Sequence, residues 1–435
     1  MKKHIYIYIV LLFTTIGSVN AQDYFAFYNL GDYVAQTQNV SPVYLPKNSF
    51  TLGTPANIGA NLDSNLTLSS LLTDNGATLK IDFDNLYANS EDKNQLYTDI
   101  NANIFMMAFK TKKGSLTLFA NLRNSINWQY SKEFTRIAAN GFGSSFALSD
   151  EKMESTTYSE IGIGYTRKFL KDKLAVGVRL KSLNGIAHAG TVENSSFSVD
   201  IDPNTSAWTV MAANATVNTS GTEQEEGEEM ALFTENKGFG FDIGATYEIT
   251  PKLTVEVAVN DIGSIDWSEK VKNYNIEDTS GSVYSGVDLD TGGSIDDEIT
   301  SALEDVIGTS ETEEGFTTKL ATKTYISAKY QLSKKNALTA AFFKNSNPVV
   351  EIKPSYALGF NRTLNKTTYG VVASSGGPNS DMRFGANMVF RLAFLQLYAA
   401  VDNIANLTAK VEDANGGNIR VGLNFVFGYN KWIKK

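Results

Sequence analysis

Cysteine is absent from this 435-residue sequence, so neither a disulfide nor a cysteine-borne lipid anchor can hold the chain. Its two histidines are His4 and His188. Without thiols they do not make up the tetrahedral ligand set that zinc requires, and no metal or other cofactor is expected. After residue 21 no apolar run reaches the about 20 residues that a helix needs to cross a bilayer, which excludes a helical membrane protein. Basic clusters are also missing. Lys and Arg number 38 against 47 Asp and Glu, a formal charge of −9, and such a balance does not suit nucleic acid as a partner.

The first residues have the form of an export signal. Lys2 and Lys3 precede an apolar stretch from Ile5 to Ile16, and Val19-Asn20-Ala21 offers small residues at the positions a signal peptidase reads. Cleavage is expected between Ala21 and Gln22. Removing residues 1–21 takes away Lys2 and Lys3, so the charge of −9 becomes −11. The domain reading is therefore a signal peptide over 1–21, an N-terminal segment over 22–48 and the remainder over 49–435.

That remainder alternates. Leu174, Val176, Val178 and Leu180 share one face of a strand, and Ala175, Gly177, Arg179 and Lys181 share the other. The pattern returns at Leu253, Val255, Val257 and Val259, and at Ile419, Val421, Leu423, Phe425 and Phe427. Segments of about ten residues are longer than ordinary globular strands and match a tilted strand that crosses a bilayer. Short polar turns at 111–114, 170–172, 250–252, 333–336 and 364–366 alternate with long connections at 131–156, 220–237 and 264–316. The fold class expected is all-β: a transmembrane antiparallel β-barrel of about 14–16 strands, with short helices in the loops. A secreted β-sandwich has shorter strands and more even turn spacing. The location expected is the Gram-negative outer membrane, with its lipid and the barrel-assembly machinery as partners. On this register Phe425→Asp and Phe427→Asp disturb a lipid face, whereas Asn424→Asp, facing the lumen, is tolerated.

Charges that fall opposite the lipid stripe are expected to line the lumen: Arg123, Arg179, Glu256, Lys353, Arg383 and Arg420, with Lys181, Asp242, Glu248 and Arg391. Both signs occur, which favours internal ion pairs that stiffen the barrel over a strongly selective channel. Trp128, Tyr130, Trp267 and Tyr429 sit near strand ends and read as an interfacial girdle. The loops 220–237 and 264–316 are acidic, and Ile295, Ile299, Leu303 and Val306 are spaced for a short amphipathic helix over the barrel mouth. No catalytic set is expected, because nothing marks Ser182 or Ser195 near His188 as activated.

Two strand-end segments match each other: Val259-Asn260-Asp261-Ile262-Gly263 and Val401-Asp402-Asn403-Ile404-Ala405. With Asn39-Val40-Ser41-Pro42-Val43-Tyr44, they resemble barrels of the long-chain fatty-acid transporter type and the shuttle barrel of type IX secretion. Over the whole mature chain the sequence resembles a family of outer-membrane proteins of unknown function. The transporter resemblance implies an N-terminal lumen plug, whose residues here are Tyr24, Phe25, Phe27 and Tyr28. It also implies passive transport of small hydrophobic or amphipathic molecules. The alternative is a non-transporting docking or assembly barrel for secretion, gliding or surface-protein complexes.

Overall fold

Residues whose side chains alternate between an apolar outside and a polar inside build one sheet that closes on itself. The computed structural model describes residues 24–70, 72–74, 79–141, 144–149, 151–192, 195–205, 207–222, 232–277, 279–284, 308–376, 382–405 and 416–429. The Ala21–Gln22 junction, the glutamates at 223–229, the acidic run 288–298 and the predicted helix at 295–306 lie outside these residues.

Fourteen antiparallel strands form the barrel. β1 comprises Asn48–Gly53 and Ile58–Ser64, interrupted at residues 54–57. β2 to β7 follow as Lys93–Thr111, Gly114–Ser131, Lys152–Phe169, Leu174–Thr191, Lys237–Thr250 and Leu253–Trp267. β8 comprises Phe316–Lys319 and Thr322–Gln331. β9 to β14 are Asn336–Ser346, Ser355–Thr363, Thr367–Gly376, Met382–Leu392, Leu395–Val401 and Gly416–Tyr429. Closure is made by β1 on β14, with Phe50 opposite Phe427 and Gly59 opposite Arg420. A closed sheet leaves no unpaired edge, which a hydrocarbon environment demands.

The face assignment read from the alternation holds. Leu180 is 46% exposed and its neighbour Arg179 only 2%. Ile161, Ile163, Val257, Ile326, Leu358 and Phe384 are likewise exposed, around the whole circumference. An apolar belt of this extent is incompatible with water and fits the acyl chains of a bilayer. Six short turns join β2–β3, β4–β5, β6–β7, β8–β9, β10–β11 and β12–β13. The last of them, at Ala393-Phe394, did not stand out in the sequence; Ala393 adopts φ +53 there.

The opposite end carries the long connections. Helix α1 (Phe25–Tyr28) lies inside the barrel, α2 (Phe83–Asn89) and α3 (Lys132–Asn140) outside it. α3 is capped by the Ser131 hydroxyl, which accepts a bond from the Phe134 N–H. A four-stranded sheet formed by Phe146–Leu148, Ser196–Ile201, Trp208–Ala213 and Thr279–Tyr284 projects beyond the barrel. It packs Phe146, Val199 and Val210 against Ile137 of α3.

The girdle assignment needs correction. Trp267 is 1% exposed and points inward, stacked with Phe316 at 6.1 Å. Tyr130 is buried, and Trp128 packs on Tyr130 at 4.5 Å and on Phe134 of α3 at 5.6 Å. The Tyr429 side chain lies outside the described residues. The cause for Trp267 is a bulge in β7. Phe241 pairs with Ile262 but Ile243 with Val259, so Asn260 and Asp261 together oppose Asp242 and every later side chain changes face.

Leu423 is the middle one of five outward apolar positions on β14, and Phe427 lies at its short-turn edge beside Phe50. We expect Leu423→Arg to cost about 2–4 kcal/mol of folding free energy and Phe427→Arg about 0–1. The measurement is equilibrium folding from urea into phosphatidylcholine liposomes. Equal costs at the two depths would mean that this face does not meet acyl chains.

Candidate functional site

The lumen is occupied by two things: a cluster of ion pairs on one wall and the N-terminal segment, which runs from residue 24 to the start of β1. Strand register makes the cluster. Lys181 stands between Gly162 and Gly240, and Arg179 between Gly164 and Asp242. The glycines leave space for the long side chains: a Cβ at Gly164 would fall 2.4 Å from Thr117 Oγ1 and 3.1 Å from Arg179 Cγ.

Lys181 Nζ lies 2.5 Å from Asp261 Oδ1, 2.6 Å from Asp242 Oδ1 and 3.9 Å from Glu160 Oε2. Arg179 Nη1 donates to Asp242 Oδ2 at 2.9 Å, and Arg123 Nη2 to Asp261 Oδ2 at 3.0 Å. Lys323 Nζ donates to Asp99 Oδ2 at 2.8 Å and lies 3.6 Å from Asp261 Oδ2. Thus Arg123, Arg179, Lys181 and Lys323 are matched one for one by Asp99, Glu160, Asp242 and Asp261. The Asp261 backbone N–H donates to Asp242 Oδ1 at 2.7 Å, and its left-handed φ of +61 belongs to the bulge.

The N-terminal segment has a ring half and an amide half. In the first, Tyr24, Phe25, Phe27 and Tyr28 are all buried. Tyr28 stacks on Tyr325 at 5.2 Å, Phe25 meets Phe343 edge-on at 6.5 Å, and Phe27 packs on Tyr398 at 5.8 Å. The Arg420 guanidinium lies 3.9 Å from the Tyr24 ring centroid and 4.8 Å from that of Phe27. Tyr24 OH donates to Asp99 Oδ1 at 2.8 Å, and the Ala26 N–H to Asp402 Oδ1 at 2.5 Å. Burial, with the Asp99 carboxylate beside it, holds the Tyr24 phenol well above the ordinary tyrosine pKa, so it remains a donor.

In the second half Gln36 exchanges bonds with Asn424 at 2.8 and 2.9 Å. Thr117 Oγ1 donates to Gln38 Oε1 at 2.8 Å, and Asn260 Nδ2 to the Val40 carbonyl at 2.9 Å. Arg179 donates to the Gln38 carbonyl at 2.8 Å and to Asn39 Oδ1 at 3.1 Å. The ion-pair cluster therefore grips the segment at two points, through Asp99 on Tyr24 and through Arg179 on Gln38 and Asn39.

Cavities flank the segment. On the short-turn side a space of about 340 Å³ is bordered by Tyr28, Asp32, Lys168, Glu256, Ser327 and Lys329. On the long-loop side a space of about 30 Å³ lies against Asp99, Arg123, Glu154 and Lys323, room for about one water.

Of the charges expected in the lumen, Arg123 and Arg179 belong to the cluster and Arg420 to the aromatic half. Glu256 borders the larger cavity. Arg383 is buried, with Nη2 3.8 Å from Asp63 Oδ2. Arg391 Nη1 donates to Asn48 Oδ1 at 2.9 Å. Lys353 is a correction: it precedes β10 in an open connection and is exposed, so no strand aims it inward. His188 is buried between Trp267 and Phe316, with its Nδ1 3.0 Å from Thr156 Oγ1.

Sequence reasoning did not single out Asp99, Glu160, Asp261 or Lys323. Asp261 carried a signal. Two residues beyond Val259, strict alternation puts its carboxylate in lipid, and only a bulge removes that conflict. The bonds of Asn424 speak against the expected tolerance of Asn424→Asp. Asn424 Nδ2 donates to Gln36 Oε1 and to Gln396 Oε1, and a carboxylate cannot donate.

Two outcomes follow. Asp261→Ala leaves the buried Lys181 and Arg123 short of a counter-charge and should cost about 3–5 kcal/mol, read as a lower urea midpoint in heat-modifiable gel migration. A midpoint equal to that of the unsubstituted barrel would show the cluster to be wet and screened. Asn424→Asp should cost about 1–3 kcal/mol of stability, read again as a lower urea midpoint, whereas Asn424→Gln, which retains a donor, should lose less. If Asn424→Gln loses more, the amide pairing with Gln36 is not what matters there.

A model of a family of unknown function, DUF5723, matches residues 42–402. No curated protein matches. Among solved structures, the barrel is similar to a deletion mutant of the monoaromatic hydrocarbon channel TodX, at 9% identity and a TM-score of 0.48, covering 91% of this chain and 95% of that one. It is also similar to the Ralstonia pickettii toluene transporter TbuX, at 6% identity and TM-score 0.41, covering 88% and 89%. A Pseudomonas aeruginosa FadL homologue matches at 10% and 0.40, covering 88% and 91%.

Proposed function

The chain belongs to that family, DUF5723, and from its own geometry we propose that it is an outer-membrane barrel for passive movement of small hydrophobic or amphipathic molecules, with the N-terminal segment as its plug. The observation that carries this reading is the aromatic half of the segment. Phe25, Phe27 and Tyr28 cover Phe343, Tyr398 and Tyr325 on the inward wall, with Val372 and Val389 in the same apolar cluster. Displacing the segment bares an apolar track along β8 to β13, and the molecules that replace those rings most favourably are themselves apolar. The amide half and the ion-pair cluster lie beside this track and hold the plug in register.

The test is removal of residues 22–44. Folded, the shortened barrel should conduct ions in planar bilayers and admit an apolar fluorophore into liposomes, while the full-length barrel does neither to the same degree. Silence of the shortened barrel in both assays overturns the transport reading. A second reading, a closed docking platform, is supported by the exterior sheet packed on α3. It gains if the shortened barrel is silent and crosslinked outer membranes return one defined partner with the full-length protein.

A further inference from the structure

The short turns repeat a feature that the transport reading does not use. In five consecutive turns the residue immediately before the returning strand is a lysine: Lys113, Lys173, Lys252, Lys335 and Lys366. All five are exposed. Each also occupies the same place in the backbone. The Lys113 carbonyl accepts a bond from the Lys168 N–H at 2.7 Å, Lys173 from Glu248 at 2.8 Å and Lys252 from Gln331 at 2.7 Å. Lys335 accepts from Thr363 at 2.7 Å and Lys366 from Arg391 at 2.8 Å. One hydrogen bond, repeated from turn to turn, thus sets the lysines at one level around the rim. Neighbouring turns are two strands apart, which spaces them about 10 Å along it. Lys112, Lys171 and Lys334 add a second basic residue beside three of them, and the acidic residues in or bordering the same turns are Asp172 and Glu248. This collar is basic in a chain whose formal charge is −9.

The collar adjoins the edge of the apolar belt. Phe109, Phe169, Ile249, Leu332 and Leu364 are exposed and stand two to four residues before the five lysines. Arg167 lies 5.6 Å over the Phe169 ring, the posture of a cation whose stem follows apolar surface while its head reaches polar surroundings. Ammonium groups in a level ring at the hydrocarbon boundary meet the phosphate layer of the adjoining leaflet. We propose that the short-turn rim binds anionic phospholipid head groups and through them fixes the depth of the barrel in the membrane. The lysines follow five of the six short turns, Ala393-Phe394 carrying none, and a lipid layer meets all five at once, whereas an acidic protein would engage a shorter arc of the rim. Lys173 and Lys252 also border the larger cavity, so part of the collar faces the lumen exit. The inference rests on the belt being membrane-facing and is independent of transport.

Selectivity for spin-labelled lipids tests it. The folded full-length barrel is placed in phosphatidylcholine vesicles containing a trace of labelled phosphatidylglycerol or labelled phosphatidylcholine. At low salt the fraction immobilised at the protein should favour phosphatidylglycerol by about two-fold or more, and the preference should collapse at 1 M salt, where the screening length falls to about 3 Å. Replacing the five lysines by glutamine should bring the ratio close to one without changing heat-modifiable migration. Lys80→Gln with Lys132→Gln, at the long-loop end, should leave it unchanged. Equal retention of the two lipids at low salt, the outcome expected if the collar serves an acidic protein, overturns the proposal. So does a preference that survives the glutamine variant or is lost in the long-loop control. Failure to insert into vesicles at all would instead strike at the membrane reading itself. If the glutamine variant does not fold, the salt series on the unsubstituted barrel decides.

Discussion

The lumen depends on one buried ammonium group. Lys181 is 1% exposed, and an ion removed from water to that extent is stable only beside opposite charge and well-directed acceptors. Asp242 and Asp261 supply both, within 2.6 Å of Nζ. The requirement propagates. For Asp261 to reach Lys181 from β7, the strand has to bulge, and the bulge reverses the inside and outside of everything that follows in that strand. Trp267, Phe316 and His188 then meet as an internal aromatic group at the long-loop end. Asp261 also pairs with Arg123 and Lys323 and Asp242 with Arg179, and Lys323 holds Asp99 where Tyr24 can find it.

The ion pairs thereby do more than stiffen the wall. The N-terminal segment has little regular structure of its own: four residues of α-helix and two short 3-10 turns. Its conformation is imposed by side chains it meets. Polar groups fix its position by direction-sensitive hydrogen bonds, to Arg179, Asn260, Asn361, Asp402 and Asn424. Rings fill the remaining width by area, which is tolerant of small shifts. The segment is thus tied to the wall by a limited set of polar contacts and otherwise packed by apolar area.

Much of the barrel was legible in the sequence because its outside is a one-dimensional pattern. Leu174 to Leu180, or Ile419 to Phe427, repeat at the period of a pleat, and a polar turn marks five of the six short returns, Ala393-Phe394 being the exception. Pairing with the neighbouring strand is then nearly forced, since a slip by one residue would expose charges to lipid. Inward charges such as Arg179, Arg383 and Arg420 follow from the same parity. Lys353 did not, because its parity was counted through a segment that is not strand. Asn424 was placed on the correct face but misjudged in consequence, since its partner Gln36 comes from 388 residues away.

By itself, the sequence determined most of the faces that meet lipid, five of the six short turns and that charges of both signs turn inward, because these depend on period and on the identity of adjacent residues. The tertiary structure alone decided which charge meets which, that Asp261 sits at the centre of the ion pairs, and what Tyr24 to Tyr28 rest against. Those outcomes depend on a bulge and on contacts between strands that close around a circle. Their partners are set by the geometry of the whole sheet, and no local pattern encodes it.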